Sequence, residues 1–314
     1  MKVPGEVIGH LRERDNFFIA SHFNPEGDAL GSSIALGMAL KARGKNVTVF
    51  NKDSVPESYE FLPGNDVITD SVPDSIENLL LLDCNSLDRA GLEKSEVKHA
   101  VVIDHHKTSN SFGDVQWVIP DAPATGLMIF YLIKELGVDI SKDIASNLYT
   151  AIGIDTGIFR YPNTTSECLV VASELVIMGA DPGLIAERLF NNYSKNRFML
   201  LKEMLSGIEM VDGIAVTVVL DEMYRTTGTV SADTENFVNY PLLMDEVKVS
   251  MLLRQIGQKS WKVSLRSKGT IDISAVAAMF DGGGHRNAAG CSISGKLKDA
   301  KADLLKAVQD VIKQ

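Results

Sequence analysis

The stretch SHFNPEGDALGSS, residues 21–33, places a histidine and two carboxylates between an apolar run and a helical pattern. The apolar run is FFIA at 17–20, and the segment ALGSSIALGMALKARG has the composition and the terminal glycine of a helix. The polar residues at this junction are His22, Glu26 and Asp28. Because an unpaired carboxylate is costly to bury, this cluster must meet either water or a cation.

Short apolar runs alternate with helical patterns through the first half of the chain. The runs VTVF, LLLLD and AVVID show little polar alternation, which is typical of parallel strands covered on both faces. Apolar residues recur at helical spacing in TGLMIFYLIKELG and SKDIASNLYTAIGI. This alternation predicts an α/β fold with a parallel sheet flanked by helices.

The pattern changes near residue 210, where the strand-like runs begin to alternate. These runs are GIAVTVVL, VKVSMLLRQ and WKVSLRS, and a final helical pattern follows in KDAKADLLKAVQDVIK. They predict a second, smaller α/β domain. We place the N-terminal domain at residues 1–190, a partly helical linker at 191–205 and the C-terminal domain at 206–314.

Composition limits the class of protein. The 314 residues are 45% hydrophobic and 23% charged, as in a soluble globular protein, and no apolar run reaches the roughly 18–20 residues of a membrane span. The formal net charge of −10 disfavours a grip on long nucleic acid, which needs a basic face. With no signal-peptide pattern at the start and three scattered cysteines, we expect a cytoplasmic location.

Acidic and histidine side chains recur at the ends of the predicted strands. Asp83 ends LLLLD, and the triplet Asp104, His105 and His106 ends AVVIDHH. Ligand sites of open α/β sheets lie at the carboxyl ends of the strands, so we expect these groups to converge. Each alone fits a helix cap, a turn or a core histidine, but together they suit two divalent ions such as Mn²⁺ or Mg²⁺. The six candidate ligands are His22, Glu26, Asp28, Asp83, His105 and Asp155.

Five motifs together resemble the DHH phosphoesterase superfamily. In chain order they are HFNPEGDALGS, LLLLDC, VVIDHH, AIGIDTGIF and GGGHRNAAGC. The last is similar to the DHH-associated C-terminal domain of stand-alone oligoribonucleases and pAp phosphatases. The resemblance implies a larger N-terminal domain with a parallel sheet, a smaller domain with a mixed sheet, and a homodimer. It also implies two metal ions, with Mn²⁺ favoured over Mg²⁺ or Co²⁺.

The resemblance further implies a role for each residue of the site. One ion would be held by His22, Glu26 and Asp83. The other would be held by Asp28, Asp83, His105 and Asp155, so that Asp83 bridges the two. His106 would face the scissile phosphate, and Asp104 would orient the histidines. Glu26 departs from the family pattern, which has aspartate at this position.

The segment MFDGGGHRNAAGC places three glycines directly before a histidine. Such glycines allow positive φ and expose backbone amides to an anion, although a plain turn would use them equally well. Because the same chain also carries the candidate metal ligands, recognition of a substrate phosphate is the favoured interpretation of these glycines. The substrate-binding candidates are Gly282, Gly283, Gly284, His285, Arg266 and Arg254. Either arginine could instead be an ordinary solvated strand end; the two interpretations are even for Arg254, and Arg266 is the better candidate because similar positions in the family contact substrate. Phe237 and Tyr240 are candidates for base stacking, with a place in the core as the preferred alternative.

These features predict a Mn²⁺-dependent phosphoesterase. It would hydrolyse very short oligoribonucleotides such as pApA to nucleoside 5′-monophosphates, dephosphorylate pAp, or do both. An inorganic pyrophosphatase or exopolyphosphatase is disfavoured because the second domain lacks an SRKKQ-like basic stretch. A nucleotide-sensing module with an impaired metal site is favoured only by Glu26. Neither long nucleic acid nor a membrane is an expected partner.

Overall fold

The computed structural model describes residues 1–106, 112–190 and 193–312, and the chain divides into two compact units, 1–192 and 193–314. The described residues of unit 1 form a sheet of six strands, all parallel, in the order β3-β2-β1-β4-β5-β6. They are β1 (Phe17–Ala20), β2 (Val47–Phe50), β3 (Ile68–Thr69), β4 (Ser75–Leu82), β5 (Glu96–Asp104) and β6 (Val115–Val118).

Within the described residues of unit 1, seven α-helices accompany this sheet along the chain. They are α1 (Gly5–Glu13), α2 (Gly27–Ala42), α3 (Leu87–Ala90), α4 (Thr125–Glu135), α5 (Lys142–Asp155), α6 (Ser166–Ile177) and α7 (Pro182–Phe190). Apolar cores lie on both faces of the sheet, which is why its strands read as continuous apolar runs. In β4, for example, Leu80 and Leu82 enter one core while Leu79 and Leu81 enter the other.

Unit 2 begins with helix α8 (Lys195–Ser206), which falls in the predicted linker. The elements that follow are β7 (Glu209–Val211), β8 (Ile214–Val219), α9 (Asp221–Thr227), β9 (Val249–Gly257), β10 (Ser260–Ser267), α10 (Ile273–Ala278), β11 (Gly283–His285), β12 (Ala288–Ser294) and α11 (Leu297–Ile312). The strand order is β11-β12-β10-β9-β8-β7, and β8 pairs parallel to β9 while the other pairs are antiparallel. The mixed sheet and the parallel sheet of unit 1 together confirm the predicted fold class.

No single helix within the described ranges has both the length and the apolar composition of a membrane span. Helices α6 and α7 reach that length and composition only as a pair, and their axes differ by 107°.

A glycine sets the contact between the two helices that carry carboxylates of the candidate site. A Cβ at Gly31 of α2 would overlap the backbone oxygen of Asn147 on α5, and it would lie 3.1 Å from the Cβ of Ala151. A backbone oxygen cannot move aside as a flexible side chain can. The two helices can therefore keep this separation only with glycine at position 31.

We expect Gly31→Ala to lower the free energy of unfolding of unit 1 by about 1–3 kcal/mol, because α2 and α5 must separate to admit the methyl group. Urea unfolding followed by the fluorescence of Trp117, in a Trp261→Phe background, would report on this unit alone. Gly9→Ala is the matched control, because a Cβ at Gly9 of α1 meets nothing within 4 Å. Its greater helix propensity predicts a gain of about 0.5–1 kcal/mol. Equal unfolding midpoints for the two variants would contradict this account of the contact.

Candidate active site

The predicted site residues converge at one edge of the parallel sheet. Strands β1, β4 and β5 are neighbours, so the residues that follow their carboxyl ends lie side by side. His22 follows β1, Asp83 directly follows β4, and Asp104 is the last residue of β5. The backbone of Asp83 has a left-handed φ of 54°, and its amide donates to the Ile103 carbonyl at 3.0 Å. Aspartate tolerates this conformation better than most residues.

Two helices supply the remaining carboxylates. Glu26 is the N-cap residue of α2, and Asp28 lies in the first turn of that helix. Asp155 is the last residue of α5. All six predicted metal ligands therefore reach this edge of the sheet, where the described residues form three overlapping groups of acidic and histidine side chains. These groups are His22, Glu26 and Asp83; Asp28, His105 and Asp155; and Asp83, His105 and His106.

Asp83 lies between the first two groups and faces each with a different oxygen. Its Oδ2 is 3.3 Å from Nε2 of His22, which in turn is 3.3 Å from Oε1 of Glu26. Its Oδ1 is 3.4 Å from Nε2 of His105, and that nitrogen is 3.0 Å from Oδ2 of Asp155. The side chain of Asp83 is thus the geometric link between the two groups.

Backbone carbonyls fix which nitrogen each histidine presents to the cluster. Nδ1 of His22 donates to the carbonyl of Phe23 at 2.8 Å, and Nδ1 of His105 donates to the carbonyl of Ala122 at 3.1 Å. In both rings Nε2 therefore faces the carboxylates. Histidines that bind metals are commonly oriented in this way, with the second ring nitrogen donating to a carbonyl or a carboxylate.

Asp28 is fully buried and is held by the first turn of α4. Its Oδ1 accepts hydrogen bonds from Ser32 Oγ at 3.0 Å and from the Gly126 amide at 2.8 Å. Its Oδ2 accepts from the Thr125 amide at 2.7 Å and lies 3.7 Å from Nε2 of His105. Since Oδ1 already has two donors, Oδ2 is the oxygen with a lone pair left for a cation.

The charges of the cluster compensate one another. Burial alone would lower the pKa of His22, but the carboxylates of Asp83 and Glu26 outweigh it and raise that pKa to about 11. Burial would also lower the pKa of His105, but the carboxylates of Asp155 and Asp83 outweigh it and raise that pKa to about 12. Protonated imidazoles thus balance the carboxylates where no cation is bound.

The carboxylates respond to the same environment in different ways. Burial, together with the negative charges of Asp83 and Asp155, raises the pKa of Asp28 well above its ordinary value. Burial is also the largest cause at Asp155 and raises its pKa to about 6. At Asp83 burial acts in the same direction, but His105 and His22 outweigh it and hold the pKa well below its ordinary value. This lowered pKa favours the ionised form of Asp83.

The donor set fits a pair of divalent cations. Asp83 Oδ2 is buried and faces Nε2 of His22 at 3.3 Å without a hydrogen bond of good geometry from any described residue, so this oxygen has a lone pair available at the centre of the cluster. Imidazole nitrogens and carboxylate oxygens, without thiolates, suit Mn²⁺ or Mg²⁺. A shared carboxylate between two groups of ligands is the arrangement that a two-metal site requires.

His106 lies beside the cluster and is held by Asp104. Its Nδ1 donates to Asp104 Oδ1 at 2.7 Å, and its backbone amide donates to the same oxygen at 3.1 Å. Burial would lower the pKa of His106, but the hydrogen bond that the ring donates to Asp104 and the negative charge of Asp83 raise it. The arrangement favours a protonated ring in a fixed orientation.

Two positioning residues were not predicted from the sequence. The hydroxyl of Thr125 donates to Asp83 Oδ1 at 3.0 Å, while its backbone amide holds Asp28. The amide group of Asn163 donates to the carbonyls of Asp155 and Pro123, at 3.0 and 3.1 Å, and so ties the end of α5 to the segment before α4. One signal for the role of Thr125 was present in the sequence. The N-cap residue of α4 is an alanine, which has no side-chain acceptor, so the first amides of this helix need an acceptor from elsewhere in the chain.

In unit 2, the predicted glycine loop contains a short edge strand. Gly283 and Gly284 pair with β12, and a Cβ at Gly284, whose φ is 142°, would overlap the backbone oxygen of Ala288. Gly282 comes directly before this strand and His285 ends it, with the side chain of His285 outside the described part. Glycine is required at position 284 because two backbones approach closely there.

The two predicted arginines lie on adjacent strands of unit 2. Arg254 of β9 donates through its two Nη atoms to Thr234 Oγ1 at 3.2 Å and Ser264 Oγ at 3.3 Å. It forms no ion pair with a described carboxylate, and burial lowers its pKa. Arg266 of β10 donates to the carbonyl of Leu265 at 3.0 Å. The guanidinium of Arg254 is half-buried, and its hydrogen bonds to described residues are to hydroxyl groups. Such a group is suited to binding an anionic ligand.

The aromatic candidates belong to the core of unit 2. Phe237 is fully buried, and Tyr240 packs beside it with a ring-centroid distance of 6.3 Å. Phe237 is therefore not accessible to a base, and the preferred alternative, a place in the core, describes both residues.

Comparison with known proteins identifies the family. The model of the DHH family N-terminal domain matches residues 16–152, and that of the DHHA1 domain matches 213–314. The bifunctional oligoribonuclease and PAP phosphatase NrnA of Thermus thermophilus is 34% identical over 99% of this chain and 94% of its own length. The chain belongs to the DHH family.

Two further proteins are similar to this chain along most of its length. NrnA of Bacillus subtilis, also named a bifunctional oligoribonuclease and PAP phosphatase, is 25% identical and covers 92% of each chain. The crystal structure of an exopolyphosphatase-related protein from Bacteroides fragilis has a TM-score of 0.91 and 29% identity, and it covers 99% of this chain and 98% of its own.

Proposed function

We propose that this protein is a Mn²⁺-dependent phosphoesterase that hydrolyses very short oligoribonucleotides to nucleoside 5′-monophosphates and dephosphorylates pAp. The observation that carries the proposal is the position of Asp83, whose two oxygens face two separate groups of metal-ligating side chains. The names of the Thermus and Bacillus relatives support the choice of substrates.

Two divalent cations held by the six ligands would activate the attacking water and stabilise the charge that develops on the phosphate. The residues of the chain itself orient the metal ligands and supply a proton to the leaving group. Ser32 and the Gly126 amide occupy Oδ1 of Asp28, so that Oδ2 is the oxygen that would hold a cation. The hydrogen bond to Asp104 favours the protonated form of His106, and we assign to His106 the transfer of a proton to the leaving oxygen.

Unit 2 supplies the groups that we assign to substrate binding. A Cβ at Gly282 or Gly284 would overlap a backbone oxygen, and the Gly282 amide already donates to the Ala277 carbonyl at 2.9 Å. We therefore assign to this loop the close approach of bare backbone to an anion, through the amides that follow Gly282. His285, Arg266 and Arg254 complete the proposed set. We include in the proposal a cytoplasmic location, consistent with three buried free cysteines, and a homodimer, which the family resemblance implies.

Protein stripped of metal with a chelator should release AMP from pApA only after Mn²⁺ is added, because the ligand cluster alone cannot activate water. Ion-exchange chromatography of timed samples would identify the products, and pAp and pyrophosphate would be assayed in parallel. Phosphate release from pyrophosphate that exceeds AMP release would favour a pyrophosphatase instead. Nucleotide binding by calorimetry without any turnover would overturn the enzymatic proposal in favour of a sensor.

A further inference from the structure

Helix α6 of unit 1 leaves an apolar face uncovered. Its inward residues, Cys168, Val171 and Leu175, are buried, whereas four large apolar residues on the opposite side are exposed. The exposed fractions are 50% for Leu169, 58% for Val170, 41% for Val176 and 82% for Ile177. Together they present roughly 400 Å² of apolar surface, on the order of the largest patch that a typical monomer exposes, and such patches commonly mark an interaction site.

Both acidic residues of α6 lie on its flank and are already paired. Glu167 accepts from the amino group of Met1 at 2.6 Å, and Glu174 accepts from Nζ of Lys134 at 2.8 Å. At 100° per residue, these two glutamates are about 100–120° from Ser173, the centre of the exposed face. The face itself therefore carries no charge, so a charged partner surface would gain nothing there and would lose hydration.

The exposed side chains on the two sides of Ser173 are alike in size and chemistry, leucine with isoleucine and valine with valine. Leu169 and Val170 precede Ser173 by four and three residues, and Val176 and Ile177 follow it by three and four. A two-fold interface requires a surface that is complementary to itself. We propose that α6 pairs antiparallel with α6 of a second copy of this chain, about a two-fold axis at Ser173. This proposal assigns a surface to the homodimer included above.

The antiparallel pairing matches apolar residues of similar size. Leu169 would contact the partner's Ile177, and Val170 would contact the partner's Val176. The small side chain of Ser173 lets the two helices approach at the axis, as small residues do where helices cross. A standard interface removes about 800 Å² from each partner, so neighbouring surface must take part. Helix α7, the next helix along the chain, also has exposed apolar residues, Leu184 and Phe190.

Disulfide cross-linking tests the position of the axis. A residue on a two-fold axis meets its own copy, so Ser173→Cys should give a covalent dimer under mild oxidation, seen on a non-reducing gel. Ser166→Cys is the matched control, because it is exposed on the same face but lies seven residues away, about 21 Å from its copy in the antiparallel pair. The three native cysteines are buried and give a low background.

Cross-linking of Ser173→Cys alone is the expected result. Equal cross-linking of both variants would overturn the antiparallel arrangement, and no cross-linking of either would overturn the axis.

Sedimentation equilibrium tests the surface without oxidation. Wild-type protein should have twice the mass of one chain, and Ile177→Glu should have half the wild-type mass, because two charges would be buried without partners. Leu243→Glu of unit 2 is the control, since Leu243 is 78% exposed and lies outside the face. A dimeric Ile177→Glu protein would overturn the surface while leaving the homodimer intact. A monomeric wild type would overturn both, and hydrolysis of pApA reports on the proposed activity separately.

Discussion

Asp83→Asn is expected to hydrolyse pApA at least about a thousandfold more slowly than the wild type, because it removes the shared ligand of both ions. The two oxygens of Asp83 face different groups, and Oδ2 is buried without a hydrogen bond of good geometry from any described residue. An amide keeps the shape of the side chain but loses its negative charge, and its nitrogen cannot bind a cation. Electron paramagnetic resonance of added Mn²⁺ should show fewer bound ions per chain.

Asp74→Asn is the matched control for this change. Asp74 is exposed and directly precedes β4, so it lies at the opposite end of the same strand. This variant should retain the full activity and the full number of bound ions. Were Asp83→Asn to bind two Mn²⁺ per chain and keep a tenth of the activity, Asp83 could not bridge the ions.

The parallel sheet was predictable because each strand shows its burial on both faces in its own run of apolar residues. Four consecutive leucines at 79–82 need two apolar faces, and the two cores on either side of β4 provide them. The convergence of His22, Asp83 and His105 then follows from one topological rule, that neighbouring parallel strands end at the same edge. No knowledge of side-chain packing was needed for this step.

The groups that orient the ligands were not predictable in the same way. Asp28 caps helix α4, although 97 residues separate it from Thr125, and nothing in either local sequence specifies that pairing. The turn that leads from Asp155 to Asn163 passes through Gly157, Ile158 and Phe159, all with positive φ. Isoleucine and phenylalanine do not indicate a positive φ from the sequence, because neither residue favours it and the conformation is imposed by contacts that exist only in the folded chain.

The exposed face of α6 shows a related limit. The segment TSECLVVASELVIMGA has apolar residues around most of its circumference, so its sequence predicts a helix without indicating which side is covered. Only the packing of Cys168, Val171 and Leu175 against the core distinguishes the buried side from the exposed one. Once the exposed side is known, the likeness of the side chains before and after Ser173 indicates a surface that can pair with its own copy.

His106→Asn is expected to lower kcat for pApA by about 10²- to 10⁴-fold while leaving Mn²⁺ binding unchanged, because it removes a proton donor. Asp104 holds Nδ1 of His106 at 2.7 Å and favours the protonated ring. The leaving group of pApA is a sugar hydroxyl, which needs a proton as the phosphorus–oxygen bond breaks. The p-nitrophenyl ester of AMP releases the same product from a leaving group that needs none.

Comparison of the two substrates therefore separates proton donation from simple stabilisation of charge. If His106 is the donor, His106→Asn should lose less than about tenfold with the p-nitrophenyl ester, because p-nitrophenolate departs unprotonated. Equal losses with both substrates would instead assign His106 to the stabilisation of charge on the phosphate. His99→Asn is the control, since His99 lies near the opposite end of β5 and pairs with Asp114 rather than with the cluster. It should leave the turnover of both substrates at the wild-type level.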